Sequence, residues 1–267
     1  MIEFTPSHHG GAGDPLVCLH GLMDTWRAWE LVLPRLERHY DVLALTLPGH
    51  AGGPPIAGAI DDRLLPDAVE RAMDAAGFAT AHLAGNSLGG FVALQLAARG
   101  RARSVVALAP AGGWARGSDL PRALLEFQRT MQEQVRESAA FADAIVATPA
   151  GRRRATAFVT ERFDHIPKEL IAHQIVAVAR CAAAPALIDY ALHHTWELEA
   201  ERIACPVRIV WGTADRLLPW PSAAARFREE WLPHADWVEL DGVGHAPQLD
   251  VPLETVQLIG GFAAQWP

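Results

Sequence analysis

Ala81–His82–Leu83–Ala84–Gly85–Asn86–Ser87–Leu88–Gly89–Gly90 is the stretch whose reading decides the fold. It opens apolar, as a buried strand does, and then reads Gly-x-Ser-x-Gly. It passes at once into Phe91–Val92–Ala93–Leu94–Gln95–Leu96–Ala97–Ala98, which has helical character. Strand, sharp turn and helix is the setting in which this motif lifts a serine hydroxyl above the carboxyl end of a sheet. The flanking glycines have a steric reason: a Cβ on Gly85 or Gly89 would collide with the neighbouring strand or helix. The turn also leaves the Leu88 N–H, at the start of the helix, pointing at whatever the hydroxyl attacks. Read without its flanks, the pattern also fits a plain Gly-rich connection. The strand before it and the helix after it favour the first reading.

Outward from that turn, strands alternate with helices. Upstream, Pro15–Leu19 is an apolar strand ending in His20–Gly21–Leu22–Met23–Asp24, and a helix capped by Asp24 or Thr25 follows, with Trp26, Trp29, Leu33 and Leu36 at helical spacing. Tyr40–Thr46 is the next strand, and it runs into a Pro- and Gly-rich loop, Leu47–Pro55. Asp61 or Asp62 starts a helix through Ala76, which Gly77 ends. The helix after Ser87 closes near Gly100, and Ser104–Ala109 is a further strand. Residues 1–14 have room for one edge strand near Ile2–Thr5, with His8–His9 in a solvated loop. The strands are continuously apolar, which means a mostly parallel sheet covered by helices on both faces. Sites in such sheets lie beyond the carboxyl ends of the strands, where His20, His50 and Ser87 fall.

From Gly112 to about Ile203 the alternation stops and four helices are expected: Pro121–Glu137, Arg152–Phe163, Lys168–Ala182 and Pro185–Glu201. The block leaves from a strand's carboxyl end and is too long for a single crossover, so it reads as a helical cap inserted over the site. Residues 1–111 and 204–267 then form the core domain and 112–203 the cap. The sheet resumes at Cys205–Trp211, followed by Gly212–Thr213–Ala214–Asp215. A helix over Ser222–Trp231 and a last strand at Ala235–Leu240 come next. The loop Gly242–Pro247 and a closing helix over Leu253–Trp266 end the chain.

The chain has 267 residues, 50% hydrophobic and 20% charged, ample for a large core and too apolar for a disordered chain. Lys and Arg number 23 against 31 Asp and Glu, a net charge of −8, which argues against nucleic acid or an anionic membrane as partner. Three scattered cysteines, Cys18, Cys181 and Cys205, form neither a disulfide framework nor a metal set. With no basic-apolar leader at Met1–Phe4 and no membrane-length apolar run, the expected location is the cytoplasm. The expected partner is a small-molecule substrate, with no cofactor and no metal.

Ser87, Asp215 and His245 stand, in that order, at strand carboxyl ends. A serine hydroxyl is a weak nucleophile at neutral pH and needs an imidazole base. The imidazole needs a carboxylate to fix its tautomer, and the developing oxyanion needs preplaced N–H donors. On these residues the chain resembles the α/β-hydrolase superfamily. The likeness runs through His20–Gly21, Pro48–Gly49–His50, Gly85–Gly90, Trp211–Asp215 and Gly244–Pro247, in the family's order. The resemblance implies an α/β-hydrolase fold with Ser87 as nucleophile, Asp215 as orienting acid and His245 as base. It places the oxyanion hole at the N–H groups of Leu22 and Leu88. His20 then shapes the oxyanion loop by hydrogen bonding, and His50 is a pocket neighbour. Asp215 read alone also fits a turn cap, and His245 a surface histidine. Trp114 and Trp220 fit either a pocket wall or the core, and His193–His194 and Arg152–Arg154 fit solvated faces.

Two departures from the family pattern stand out. Thr46 and Leu47 precede Pro48 where relatives often carry an Asp, and the N-terminal part has one strand fewer, implying a trimmed sheet. Dehalogenases and epoxide hydrolases of this fold use an aspartate at the turn, so Ser87 points away from both. The reaction expected is hydrolysis of carboxylic esters of small, mainly apolar molecules through an acyl-enzyme. Asn86 beside Ser87 also resembles carbon–carbon bond hydrolases of ring-fission diketones, but these usually have an aromatic residue after the base, where this chain has Ala246. A ligand receptor on the same fold is the reading from another class; turnover of an activated ester separates it from an enzyme.

Overall fold

Continuously apolar strands must be covered on both faces, and the chain achieves this with one sheet. The computed structural model describes residues 3–266. Its strands are β1 (Ser7–Gly11), β2 (Asp14–Leu19), β3 (Tyr40–Leu45), β4 (Ala81–Asn86), β5 (Ala102–Leu108), β6 (Val207–Gly212) and β7 (Asp236–Leu240). They lie in the order β1-β3-β2-β4-β5-β6-β7. All pairs are parallel except β1 with β3. The helices are α1 (Leu33–Leu36), α2 (Leu64–Ala75), α3 (Leu88–Ala98), α4 (Leu120–Ser138), α5 (Ala142–Val146), α6 (Pro149–Thr156), α7 (Lys168–Arg180), α8 (Ala184–His193), α9 (Pro247–Asp250) and α10 (Pro252–Ala263). This is the α/β-hydrolase architecture expected from the sequence.

Strand alternation sorts the core. Val17, Leu19, Leu83 and Ile209 pack toward α2 and α3, against Val69, Met73, Val92 and Leu96. Leu16, Cys18, Ala84 and Val210 face the other way, onto Trp29, Leu36, Ile259 and Phe262. The middle strand β4 is buried at every position, and α3 is buried on almost all sides, so the turn between them is clamped from both directions.

Several elements differ from the sequence expectation. The edge strand is Ser7–Gly11, which runs antiparallel to β3 (Ser7 opposite Leu45, Gly11 opposite Asp41). Of the expected Ile2–Thr5 strand, Ile2 lies outside the described residues and Glu3–Thr5 form none. His8 and His9 therefore sit in a strand, with His8 against Glu37 and His9 Nε2 2.7 Å from Asp41. The helix after β2 is a 3-10 turn, Trp26–Trp29, capped by Thr25, and then the short α1. Pro34 has no N–H to continue an earlier turn, so it starts a new one. The helix expected over Arg152–Phe163 stops at Thr156, because the chain beyond it bonds to the loop around His245 (below). The one over Pro185–Glu201 stops at His193, where Trp196 turns inward onto Phe91 and Arg226 donates to its carbonyl oxygen. The Ser222–Trp231 segment is a 3-10 turn and a π-helical turn, not one α-helix. The helix α5 is too short, at five residues, to leave a periodic pattern in the sequence.

Glycine at the turn has a measurable reason. A Cβ at Gly85 would stand 2.2 Å from the Gly89 carbonyl oxygen, and one at Gly89 would stand 2.2 Å from that of Leu19. Gly85→Ala is therefore expected to prevent folding to the native state. Gly261, exposed in α10, has open space where an added methyl would stand, with nothing within 4 Å, so Gly261→Ala should raise stability by about 0.5–1 kcal/mol. Soluble yield and thermal midpoints of the two variants check this contrast; a native-like Gly85→Ala protein would contradict it.

Candidate active site

Ser87 sits at the tip of the β4–α3 turn with φ 55° and ψ −118°, a strained conformation for a side-chain-bearing residue. The turn is over-determined. The Ser87 N–H donates to Leu108 O (2.9 Å), and its carbonyl accepts from the N–H groups of Phe91 (3.1 Å) and Ala111 (3.0 Å). Leu88 is the first residue of α3, where N–H groups lack intrahelical partners. The loop after β2 passes against the serine: a Cβ on Gly21 would lie 3.2 Å from Ser87 Cβ.

His20 holds that loop. The Leu47 N–H donates to His20 Nε2 (2.9 Å), so Nδ1 carries the proton and donates to Gly21 O (2.7 Å). Burial keeps His20 well below the usual histidine range, hence neutral, as this pairing requires. His50 stacks edge-on against His20, with 4.9 Å between ring centroids, and burial pushes it down to about 4. It lines neither cavity at Ser87, so it is a packing partner of His20 and not a pocket neighbour.

Asp215 and His245, from the loops after β6 and β7, are brought together: His245 Nδ1 is 2.7 Å from Asp215 Oδ2. Asp215 Oδ1 accepts from the N–H groups of Leu217 (2.9 Å) and Leu218 (2.7 Å). Its turn-capping and its contact with the ring thus use different oxygens. With Nδ1–H donating to the carboxylate, Nε2 is left with its lone pair. His245 and Ser87 line one cavity, though a hydrogen bond between them is not among those formed by the described residues. Such bonds are often long in unliganded sites and tighten on binding.

Residues that sequence reading missed fix the His245 loop. Asp250, buried in α9, accepts from Gly244 N (2.7 Å), Glu161 N (3.1 Å) and Arg162 N (2.6 Å). The Ala246 N–H donates to Val159 O (2.9 Å), so the inserted segment and the loop share one knot. Asn86 donates to the carbonyls of Leu108 (3.1 Å) and His245 (3.0 Å) and accepts from Gln248 (3.1 Å). A carboxylate between two apolar residues, Leu249 and Val251, just after the His245 loop is the signal that marks Asp250 in the sequence.

Two cavities meet at Ser87, sharing Leu22, Ser87 and Gln128 as walls. The larger, about 370 Å³, holds His245, Asn86 and Asp24 under Met131, Ile171 and Val178 of the inserted helices. The smaller, about 110 Å³, holds Leu88, Phe91, Trp114 and Leu124. Trp114 is thus a pocket wall, whereas Trp220 packs with Trp211 and Trp237. His194 and Arg154 are exposed, as expected, and each also lines one of the two cavities. No metal-holding cluster occurs among the described residues, nor is any single helix among them long and apolar enough to cross a membrane.

Helix α7 clamps the loop after β2. Gln174 Nε2 donates to Asp24 Oδ2 (3.0 Å), and His173 Nε2 lies 3.0 Å from Thr25 Oγ1. Arg27 donates to His173 Nδ1 (3.2 Å), so the ring must be neutral to accept. Burial, and then the Arg27 charge, lowers His173 to about 4. The unfolded chain takes up this proton near roughly pH 6.5 and the folded chain resists it, so stability is lost as the pH is lowered between those values and levels off below. His50 and His20 act in the same direction. The thermal midpoint should drop from about pH 6.5 to 4, and less steeply in His173→Gln. Equal slopes in the two proteins would remove His173 from this account.

The alpha/beta hydrolase family profile matches residues 16–258. An epoxide hydrolase of Mycobacterium tuberculosis is 34% identical over 200 residues, 74% of this chain and 93% of its own length. A pimeloyl-[acyl-carrier protein] methyl ester esterase of Xanthomonas campestris is 29% identical over 269 residues, 96% of this chain and 98% of the other. Among solved structures, an esterase from Rhodococcus sp. ECU1013 superposes with a TM-score of 0.67 at 25% identity, covering 98% of this chain and 94% of the other.

Proposed function

The chain belongs to the alpha/beta hydrolase family, and we propose that it is a serine hydrolase acting on carboxylic esters of small molecules through an acyl-enzyme. The observation that carries this reading is the Asp215–His245 hydrogen bond beside the strained Ser87, in a cavity that His245 and Ser87 share. His245 Nε2 takes the Ser87 proton as Oγ attacks the carbonyl carbon, and the oxygen develops negative charge toward the N–H groups of Leu22 and Leu88. Collapse breaks the bond to the alcohol oxygen, which leaves with the proton from His245. Water then repeats the cycle on the acyl-serine and frees the acid. Asp215, with three hydrogen bonds on its carboxylate, holds the ring in the tautomer the first step needs. The inserted helices α4–α8 act as the cap, and their apolar side chains supply its lining.

The name of the Mycobacterium relative raises epoxide opening. Attack of Ser87 on an epoxide carbon would form an ether, which has no carbonyl for water to attack, so the enzyme would not turn over. A carboxylate at the turn would give a hydrolysable ester, and this chain has a serine there. Carbon–carbon cleavage of a ring-fission diketone has two observations in its favour: Asn86 stands beside Ser87, and Arg154 lines the cavity with Ser87 and His245 and offers a cation to an acidic substrate. The Asp24 carboxylate in the same cavity opposes that substrate, which makes the ester the better fit.

Ser87→Ala should lower kcat on an activated ester by a factor on the order of 10⁶ with the fold intact, since the three residues act as a unit. Steady-state rates, with circular dichroism as the control, measure it; a few per cent of residual activity would refute the assignment. In a parallel assay of a short activated ester and a vinylogous diketone, the ester is expected to be turned over faster. A large excess of diketone turnover would establish the carbon–carbon reading instead.

A further inference from the structure

The space at Ser87 is two mainly apolar chambers, of which only the larger is lined by His245 and Asp24. We infer that they divide the substrate: the chamber walled by Trp114 and Phe91 receives a short apolar acyl group, and the chamber of His245 and Asp24 receives an alcohol carrying a hydrogen-bond donor. The inference rests on the reading of Ser87 and His245 as nucleophile and base.

Proton transfer sets the direction. When the tetrahedral intermediate collapses, the electron pair of the breaking bond goes to the alcohol oxygen, and the proton comes from His245 Nε2. That oxygen must therefore lie within hydrogen-bond reach of the imidazole, roughly 2.6–3.2 Å. His245 lines the larger chamber and not the smaller, so the alcohol extends into the larger one. The remaining substituent of the carbonyl carbon points away from the alcohol. The smaller chamber, which Ser87 and Leu88 border and His245 does not, is the space left for it. An acyl chain there contacts side chains that are already dry: Phe91 and Trp114 are buried, and Trp196 stands edge-on to both. The ionisable groups at the edge of that chamber, Asp61, Asp62 and His194, are exposed, and Tyr190 already donates to Asp62 (2.9 Å).

The larger chamber is also walled mainly by apolar side chains, but it holds a part-buried carboxylate. Asp24 is half-buried there, two residues beyond Leu22. Its Oδ1 accepts from the Thr25 N–H (2.8 Å) and its Oδ2 from Gln174 (3.0 Å). Both partners are neutral amides, and a carboxylate with two oxygens has about four acceptor positions, so two remain for a ligand. Burial pushes the group up to about 6, which leaves it mainly ionised at neutral pH. A hydroxyl on the alcohol satisfies such an acceptor, while a second carboxylate would be repelled by it. Gln174, on α7, fixes the Asp24 rotamer from the inserted segment, so the same helix that roofs the chamber sets its polarity.

The test is a matrix of four esters on the full-length enzyme: acetate and hexanoate, each of hexanol and of hexane-1,6-diol. Wild type should prefer the diol esters. Asp24→Leu and Asp24→Asn should cut that preference about tenfold, through KM, as expected when a hydrogen bond to a charged group is lost. The hexanoate-to-acetate ratio should stay as it was. Ala191→Phe, which narrows the smaller chamber, should cut the hexanoate-to-acetate ratio at least tenfold and leave the diol preference in place. Should an Asp24 variant fail to fold, Gln174→Ala tests the same contact and should also weaken the preference. A wild-type enzyme indifferent to the diol hydroxyl would overturn the inference, as would an Ala191→Phe enzyme that changes alcohol selection instead of acyl selection. The parent reading fails separately, and this inference with it, if wild type hydrolyses none of the four and a fluorophosphonate does not label Ser87.

Discussion

Everything at this site hangs on a close approach between two pieces of backbone that no side chain can enter. The β4–α3 turn packs so tightly that a methyl on Gly85 would sit inside the Gly89 carbonyl, and one on Gly89 inside that of Leu19. That contact lets a positive-φ serine exist in the middle of a folded core. A strained residue of this kind costs about 1–3 kcal/mol and persists only where its surroundings leave it no alternative. Here the surroundings are β4, buried throughout, and the largely buried β5 and α3, with the backbone of Ser87 bonded to Leu108, Phe91 and Ala111. The hydroxyl is presented at one height above the sheet, and the loops after β2, β6 and β7 are built to meet it.

Those three loops are held by different physics. The loop after β2 is held by a neutral histidine, His20, bridging Leu47 and Gly21, and from above by α7 through Gln174 and His173. The loop after β6 is held by a carboxylate, Asp215, that folds its own turn with one oxygen and reaches His245 with the other. The loop after β7 is held by Asp250, whose three backbone partners come from both the core and the inserted segment. Carboxylates receiving several backbone N–H groups make strong, directional anchors. The inserted segment is therefore tied to the core at two places that also position the site: around residues 159–162 and along α7.

The consequence for specificity is a partition of the space over Ser87. The inserted helices contribute mainly apolar walls to both chambers, with Arg154 and Gln174 on the larger. Helix α4 spans the division, with Leu124 in the small chamber, Met131 in the large one, and Gln128 bordering both. Successive turns of one amphipathic helix thus face two different environments.

The sequence by itself determined the fold, because its signals are local. A Gly-x-Ser-x-Gly between a buried strand and an apolar helix has few ways to pack, and continuously apolar strands alternating with helices demand a two-faced parallel sheet. The residues Ser87, Asp215 and His245 were legible for the same reason, each standing just past a strand's carboxyl end. Boundaries were blurred wherever a tertiary bond stops a helix that propensity would continue, as after Thr156, where Asp250 captures the backbone, and after His193, where Trp196 turns into the core. The edge strand Ser7–Gly11 has no local signature, because its histidines find Glu37 and Asp41 only once β3 lies alongside. Only the tertiary structure decided that Trp114 lines a pocket and Trp220 does not, that His50 belongs to His20, and that Asp24, Arg154 and His194 border the cavities. Those facts depend on distances between residues far apart in the chain, and no local pattern encodes them.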